Sequence, residues 1–206
     1  MNFQNIKVPF LTKGEISAAA DLFREKYWND LIPVDIEKII SVNLRMDIVF
    51  KPGLFKLFNI DAYITSSWQQ ICVDYDLFEA DKNNNRLRFS YAHEIGHLVL
   101  HKNLYEQFGI READDFNKFY DEIPGDQYHF METQAHIFAN FLLIPRSKLY
   151  EIRKKVIEQF VSGNTIKISE IDPKILNQYL AGPISKYFGV SSAPVEIALS
   201  DLKSIK

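Results

Sequence analysis

The chain has 206 residues, of which 47% are hydrophobic and 25% charged, which is typical of a folded globular protein and excludes a disordered or fibrous chain. Its formal net charge is -3, with 24 Lys and Arg against 27 Asp and Glu, so no overall positive charge exists to hold a polyanion such as nucleic acid. A single cysteine excludes an internal disulfide, and the sequence shows neither a signal-peptide pattern nor a long apolar run, so we expect a soluble, cytoplasmic protein with no membrane segment.

The first part of the chain predicts two helices followed by a small sheet. Apolar residues at helical spacing predict a helix over 14–28, and a second, short helix is expected to open at Pro33 because proline is tolerated in a first turn. The alternating pattern over 44–50 then predicts a strand. Two more strands are expected over 60–66 and 71–75.

The rest of the chain is predicted to be helical, with one long loop. A polar turn at 81–85 precedes a helix over 86–101, a loop rich in acids and aromatics is expected over 103–127, and a helix over 130–144 ends before Pro145. Further helices are expected over 147–161 and 173–181, with a closing pair divided at Gly189. This order predicts an α+β fold that is mainly helical, with a small three-stranded antiparallel or mixed sheet.

The sequence HEIGH at positions 93–97 carries the strongest chemical signal. Residues four apart on a helix lie on one face, so His93 and His97 can both reach a single Zn²⁺ ion while Glu94 lies beside the open coordination position. Apolar residues cover most of the circumference of this helix, so its polar sector is expected inside the protein or at a cleft. The alternative is that these three side chains satisfy one another within the core.

A catalytic zinc site needs a third protein ligand, and Glu132 is the best candidate. It lies three residues before Ala135, in line with the apolar stripe of the helix predicted over 130–144, so its carboxylate is expected to point inward. Coordination to a cation would explain an inward glutamate. The alternative is a surface glutamate that caps the start of the helix.

Other histidines and the cysteine are weaker ligand candidates. His136 lies one turn after the candidate glutamate. It could replace Glu132 as a ligand, but we expect it to donate a hydrogen bond to a metal ligand instead. His101 lies two turns from His93, so one ion cannot bind both, and we expect it to line the cleft or to end the helix. His129 and Cys72 stay possible ligands, although nothing in their spacing singles them out.

A zinc ion held in this way would polarise a scissile carbonyl and lower the pKa of water, while Glu94 takes up the proton and passes it to the leaving amine. The developing oxyanion needs at least one further hydrogen-bond donor. The sequence does not choose among four candidates for that donor: Tyr128, His129, His136 and His101.

Two blocks of sequence resemble the ImmA/IrrE family of zinc metallopeptidases. Residues 88–101 read RFSYAHEIGHLVLH, which is similar to the family block RFTxAHElgHxxLH, and residues 132–145 read ETQAHIFANFLLIP, which is similar to ExxANxFAxxLLMP. The sequences IPVD at 32–35 and FGVS at 188–191 resemble the family's PVD helix start and its FgVS turn. The chain departs from the family at His136, where asparagine is usual, and in its long segment 103–127.

The resemblance implies a zincin-like core of the gluzincin type, with His93, His97 and Glu132 as ligands of one catalytic Zn²⁺ and Glu94 as general base and acid. It also implies that the strand over 71–75 pairs with an extended substrate. Family members commonly cleave a helix-turn-helix repressor, often in mobile-element or stress-response circuits. The implied function is therefore an intracellular zinc endopeptidase that cuts a DNA-binding repressor or a similar regulator of transcription.

The expected domains are a metallopeptidase domain over 1–165 and a C-terminal helical appendage over 166–206 that resembles a helix-turn-helix. From Pro173 onward the chain has four Lys, no Arg and two acids, so we expect this segment to pack against the core or a partner and not to bind nucleic acid. The sequence leaves the oligomeric state, the cleavage site and the identity of the divalent cation open.

Two other functions share part of this sequence pattern. A catalytically silent metal-binding module would dock a partner in the same cleft without breaking a bond. Peptide deformylase uses the same helix motif but takes its third ligand from a cysteine in a Gly-Cys-Leu setting, which the sequence ICV at 71–73 does not match.

Overall fold

The computed structural model describes residues 3–80, 85–162 and 171–202, which form a mainly helical fold around a small sheet. The helices are α1 (Lys13–Tyr27), α2 (Ile36–Lys38), α3 (Leu54–Phe58), α4 (Tyr75–Ala80), α5 (Asn85–Leu100), α6 (Lys102–Phe108), α7 (Ala113–Glu122), α8 (Gly125–Leu143), α9 (Arg146–Ser162), α10 (Pro173–Phe188) and α11 (Ser192–Asp201). The strands are β1 (Asp47–Lys51), β2 (Ala62–Ile64) and β3 (Gln70–Asp74), with a 3₁₀ turn at Phe3–Asn5 and a π-helical turn at Ile39–Asn43. The predicted α+β class is confirmed.

The sheet has the order β1-β3-β2, with β3 parallel to β1 and antiparallel to β2. The sheet is therefore mixed, which is one of the two arrangements predicted. The expectation that the strand over 71–75 pairs with substrate is wrong, because β3 lies in the middle and both of its edges are bonded to neighbouring strands. On the cleft side the edge strand is β2, which packs against α5.

Helices α5 and α8 pack closely enough to bring the two sequence blocks together. The contact depends on Gly96, since a Cβ added there would lie 3.0 Å from both the Cα and the carbonyl oxygen of Ala135. Only glycine permits this approach without a shift of one backbone against the other. Because Ala135 follows Glu132 by one turn, the approach sets the glutamate opposite the histidines of α5.

The prediction of a loop over 103–127 is wrong, because this segment forms α6 and α7. Gly109, with φ of 69°, ends α6, and Glu112 caps α7 together with Asp115. Buried Phe108 and Phe119 stack with ring centroids 4.1 Å apart. In α7 Ala113, Phe116 and Phe119 do recur at helical spacing, but both helices are short and α7 is rich in acids, which is why the segment was interpreted as a loop.

Three helix boundaries also differ from the prediction, one of them the start of α8, which is Gly125 and not residue 130. The helix expected at Pro33 begins at Ile36, because the side chain of Asp35 accepts a hydrogen bond from the backbone N–H of Lys38 and caps it there. Helix α10 does not end at 181 but continues through Pro183 to Phe188.

The predicted domain boundary between 165 and 166 lies outside the described residues, as does most of the turn predicted at 81–85.

The C-terminal helices are tied to α5 through Arg88. Its guanidinium donates to the carbonyl oxygen of Gly189 at 2.9 Å and to that of Val34 at 2.7 Å. Gly189 has φ of 61°, and an added Cβ there would lie 3.3 Å from Arg88 Nε. This turn between α10 and α11 therefore lies directly against the helix that carries the HEIGH sequence.

Candidate metal centre

Three side chains from two helices converge at one point between α5 and α8. His93 Nε2 lies 3.0 Å from Glu132 Oε2, and His97 Nε2 lies 3.3 Å from Glu132 Oε1. The two imidazole Nε2 atoms are 3.1 Å apart. His97 is buried, whereas the side chains of His93 and Glu132 are 16% and 28% exposed, so the group is reached from one side only.

This arrangement of donor atoms fits a tetrahedral metal site. Ligands about 2.0–2.1 Å from a Zn²⁺ ion in tetrahedral geometry are separated from one another by roughly 3.3 Å. The two imidazole Nε2 atoms are 3.1 Å apart, and the distances from each to one carboxylate oxygen of Glu132, 3.0 Å for His93 and 3.3 Å for His97, are also close to that value. Two imidazoles and one carboxylate are ligands that zinc commonly has in catalytic sites. His93, His97 and Glu132 could therefore hold one ion and leave a fourth position open toward the cleft.

Glu94 lies beside these donors but is held differently. Its nearest ligand-capable oxygen lies within 4.8 Å of both imidazoles, and its Oε2 accepts a hydrogen bond of 2.9 Å from the backbone N–H of Ile64 in β2. Burial raises the pKa of Glu94 to about 8, and the negative charge of Glu132 acts in the same direction against the opposing effect of His93. By distance Glu94 forms, with His93 and His97, a group that could hold an ion, and the strand keeps its carboxyl group in place through the backbone of Ile64.

The pKa values of the other ionisable groups at the site are shifted in different directions. Burial lowers the pKa of His97, whereas at His93 the same burial is outweighed by the hydrogen bond to Glu132, which raises the pKa. Burial would raise the pKa of Glu132, but the adjacent imidazoles hold it well below its ordinary value. Glu132 is therefore an anion at neutral pH, as a metal ligand must be.

The sequence profile of the IrrE N-terminal-like domain, Peptidase_M78, matches residues 77–200, well over half of the chain. The chain belongs to this family. It therefore carries a metallopeptidase-like domain, and the resemblance noted from the two sequence blocks is confirmed. A search of curated proteins found no significant match. In the described part of this IrrE N-terminal-like chain, no helix has both the length and the apolar character needed to cross a membrane.

The donors open onto a cleft of about 630 Å³. Tyr128 and His136 line it from α8, one turn before and one turn after Glu132. Burial keeps the phenol of Tyr128 protonated by raising its pKa, and it lowers the pKa of His136. Of the four oxyanion donors considered from the sequence, these two face the cleft of this IrrE N-terminal-like domain.

The remaining candidates lie elsewhere. His101 is 1% exposed and lies behind His97, away from the cleft, where burial lowers its pKa to about 3. His129 is an exposed residue of α8 that does not line the cleft. Cys72 is buried in the middle strand β3, and burial raises the pKa of its thiol.

Sequence reasoning missed two contributors to the site. The backbone N–H of Ile64 holds Glu94, and a backbone donor leaves no trace in the sequence. The C-terminal helix α11 forms one wall of the cleft through Ala193, Pro194 and Ile197. The sequence FGVS at 188–191, which resembles the family's turn and directly precedes this helix, was the available signal for it.

Proposed function

We propose that the protein is a zinc-dependent endopeptidase in which His93, His97 and Glu132 hold the ion and Glu94 transfers the proton. The observation that supports this most strongly is the convergence of three side chains: the two imidazole Nε2 atoms lie 3.1 Å apart, and each lies 3.0 or 3.3 Å from one carboxylate oxygen of Glu132. A separate carboxyl group, that of Glu94, lies alongside. Zinc in such a site would polarise the scissile carbonyl of the substrate and lower the pKa of a bound water. The metal ligands are neutral imidazoles and a carboxylate, which suits Zn²⁺, although Mn²⁺ and Fe²⁺ share these ligand types.

Glu94 is suited to the proton-transfer role by its surroundings. A general base works best when its pKa lies near the working pH, and burial brings that of Glu94 to about 8 in the metal-free protein. The hydrogen bond from Ile64 N–H holds Oε2 of Glu94, so Oε1 is the oxygen that is left to take up a proton. The proton taken from water is then available at Oε1 for the leaving amine.

The substrate main chain is proposed to lie along β2. The backbone N–H and C=O groups of Tyr63 and Thr65 point to β3 in the antiparallel pairing. Those of the even-numbered residues of β2 therefore point away from β3. Ile64 N–H uses that side to reach Glu94, and Ala62, two residues earlier, lines the cleft. An extended peptide added at Ala62 would pass the donors with its scissile carbonyl next to Glu94.

For the protein substrate we propose a helix-turn-helix repressor or a similar regulator. The support is membership of the IrrE N-terminal-like family together with the sequence resemblance to ImmA/IrrE proteins. The cleft is suited to apolar side chains of the substrate, because Phe89, Ala193 and Ile197 form part of its walls.

The test is the isosteric variant Glu94→Gln, assayed on a random peptide library by mass spectrometry with zinc content measured in parallel. It is expected to keep its zinc and to lose cleavage by two or more orders of magnitude, in line with removal of a general base. The matched control Glu151→Gln, at an exposed residue of α9, is expected to cleave as the unaltered protein does. Cleavage that survives in Glu94→Gln would contradict the mechanism. A protein that binds zinc but cleaves nothing in either form would favour the silent metal-binding module.

A further inference from the structure

A chain of buried polar groups runs from His97 away from the cleft. His101 Nδ1 lies 3.2 Å from His97 Nδ1, and His101 Nε2 lies 3.0 Å from Gln134 Oε1. Gln134 Nε2 donates in turn to the carbonyl oxygen of Pro9 at 2.9 Å. His97 and Gln134 are each 2% exposed and His101 is 1% exposed, so water does not compete for these contacts.

The donors and acceptors of this chain can be assigned from its far end. The Pro9 carbonyl only accepts, so Gln134 must turn its NH₂ group to Pro9 and its oxygen to His101; the flipped amide would set two acceptor oxygens against each other. Because that oxygen only accepts, His101 carries its proton on Nε2. A neutral imidazole has one donor and one acceptor nitrogen, so His101 Nδ1 accepts and His97 Nδ1 donates.

His97 is therefore held as the Nδ1–H tautomer, with its lone pair on Nε2. That nitrogen is the atom that lies 3.1 Å from His93 Nε2 and 3.3 Å from Glu132 Oε1. We propose that His101 and Gln134 are positioning residues that fix the tautomer and ring orientation of His97, so that its Nε2 is prepared as a metal ligand before the ion arrives. The proposal rests on the proposed function only for the identity of the occupant, because the tautomer is set without it.

The far end of the chain is itself held firmly. The segment that contains Pro9 runs along α8, where Val8 N–H donates to Gln127 Oε1 at 2.9 Å. Next to it, the Phe10 ring stacks on Phe130 with centroids 5.9 Å apart. The carbonyl that orients Gln134 is thus fixed on both sides along the same helix. A fixed acceptor at this end is what a tautomer-setting chain requires.

Zinc affinity separates a positioning role from simple packing. Competition with a chromophoric chelator is measured on the metal-free protein for His101→Phe, His101→Asn and a control. Loss of an outer partner of a metal-binding histidine costs about 10–100-fold in metal affinity, and we expect His101→Phe to fall in that range. In His101→Asn the side-chain oxygen can still accept from His97 Nδ1–H, so most of the affinity is expected to return.

The control is Asn140→Leu on the same helix. Asn140 is 4% exposed, its amide donates to the carbonyl oxygen of Pro194 at 2.8 Å, and its oxygen accepts from Arg146 at 2.7 Å, so it is a buried amide bonded at both ends as Gln134 is. It lies about 12 Å along α8 from Glu132. Asn140→Leu is expected to lower the free energy of unfolding and to leave zinc affinity unchanged. An equal loss of zinc affinity in this control and in His101→Phe would reduce the effect to packing and overturn the proposal.

A second measurement reports the tautomers directly and needs no metal. Nitrogen-15 NMR of the metal-free protein at slightly alkaline pH is expected to show His97 protonated on Nδ1 and His101 on Nε2. The variant Gln134→Leu is expected to give a mixture of His97 tautomers. His97 protonated on Nε2 in the unaltered protein, or a folded His101→Phe with undiminished zinc affinity, would overturn the proposal. If the unaltered protein bound no zinc but showed the expected tautomers, the proposed function would fail and the hydrogen-bond chain would stand.

Discussion

Two carboxyl groups at the site, those of Glu94 and Glu132, have opposite electrostatic surroundings. Burial raises the pKa of Glu94 to about 8, whereas the two imidazoles hold that of Glu132 well below its ordinary value. A group that stays ionised can bind a cation, and one that gains and loses a proton near neutral pH can act as acid and base. The two residues are therefore suited to different roles although their side chains are identical.

The role of Glu132 as a ligand leads to a prediction at the residue scale. Glu132→Gln keeps the shape of the side chain but removes its charge, so zinc affinity is expected to fall by more than the roughly 10–100-fold that loss of an outer partner costs. The measurement is chelator competition on the purified variant.

His129→Gln is the matched control for this change. His129 lies on the same helix, is exposed and does not line the cleft, so its replacement is expected to leave zinc affinity unchanged. Undiminished zinc binding by Glu132→Gln would exclude Glu132 as the third ligand. A loss in His129→Gln instead would point to His129 in its place.

At the scale of elements, the site depends on how closely α5 and α8 approach. The ligands belong to different helices, and the separation between the helices is set where Gly96 faces the backbone of Ala135. A shift of a few tenths of an ångström at this contact moves Glu132 relative to both histidines. Metal geometry tolerates little of this, because ligand distances are defined to about 0.2 Å.

Gly96→Ala is therefore expected to affect both folding and metal binding. The added methyl group would meet backbone atoms at 3.0 Å, and overpacking of this kind costs about 1–3 kcal/mol in the free energy of unfolding. Urea unfolding of the metal-free protein measures this cost, and chelator competition measures the accompanying loss of zinc affinity.

The same substitution at Gly14 is expected to have the opposite sign. An added Cβ there would meet only the Thr12 hydroxyl oxygen, at an ordinary contact distance of 3.9 Å, and alanine in a helix is up to about 1 kcal/mol more favourable than glycine. Gly14→Ala in α1 should therefore stabilise the protein without changing zinc affinity. If Gly96→Ala were as stable as the unaltered protein and bound zinc equally well, the close approach of α5 and α8 would not be what positions the site.

The elements also show which parts of the fold a sequence can predict. The helix that carries His93 and His97 was predicted because its spacing is local, and residues four apart on a helix always meet. The position of β3 between two strands was not predicted, because its parallel pairing with β1 joins segments that are far apart in the chain. Helices α6 and α7 were missed because they have only 7 and 10 residues, and the tertiary contact that packs them together, that of Phe108 with Phe119, is not visible in the sequence.

At the scale of the whole molecule, both ends of the described chain contribute to the site. The carbonyl of Pro9 ends the chain of hydrogen bonds that begins at His97, and Ile197 of α11 forms part of the cleft wall. Arg88 joins the turn at Gly189 to α5. Such contacts between distant segments do not appear as spacing, so sequence patterns identified the candidate ligands but not what holds them in place.

The proposed function requires one divalent cation between α5 and α8. Anomalous diffraction at the zinc edge, from crystals of the protein loaded with zinc, locates this ion. A single strong peak is expected about 2.0–2.2 Å from His93 Nε2, His97 Nε2 and a carboxylate oxygen of Glu132. A zinc peak bound by Cys72, or zinc found only away from these three side chains, would contradict the proposed function.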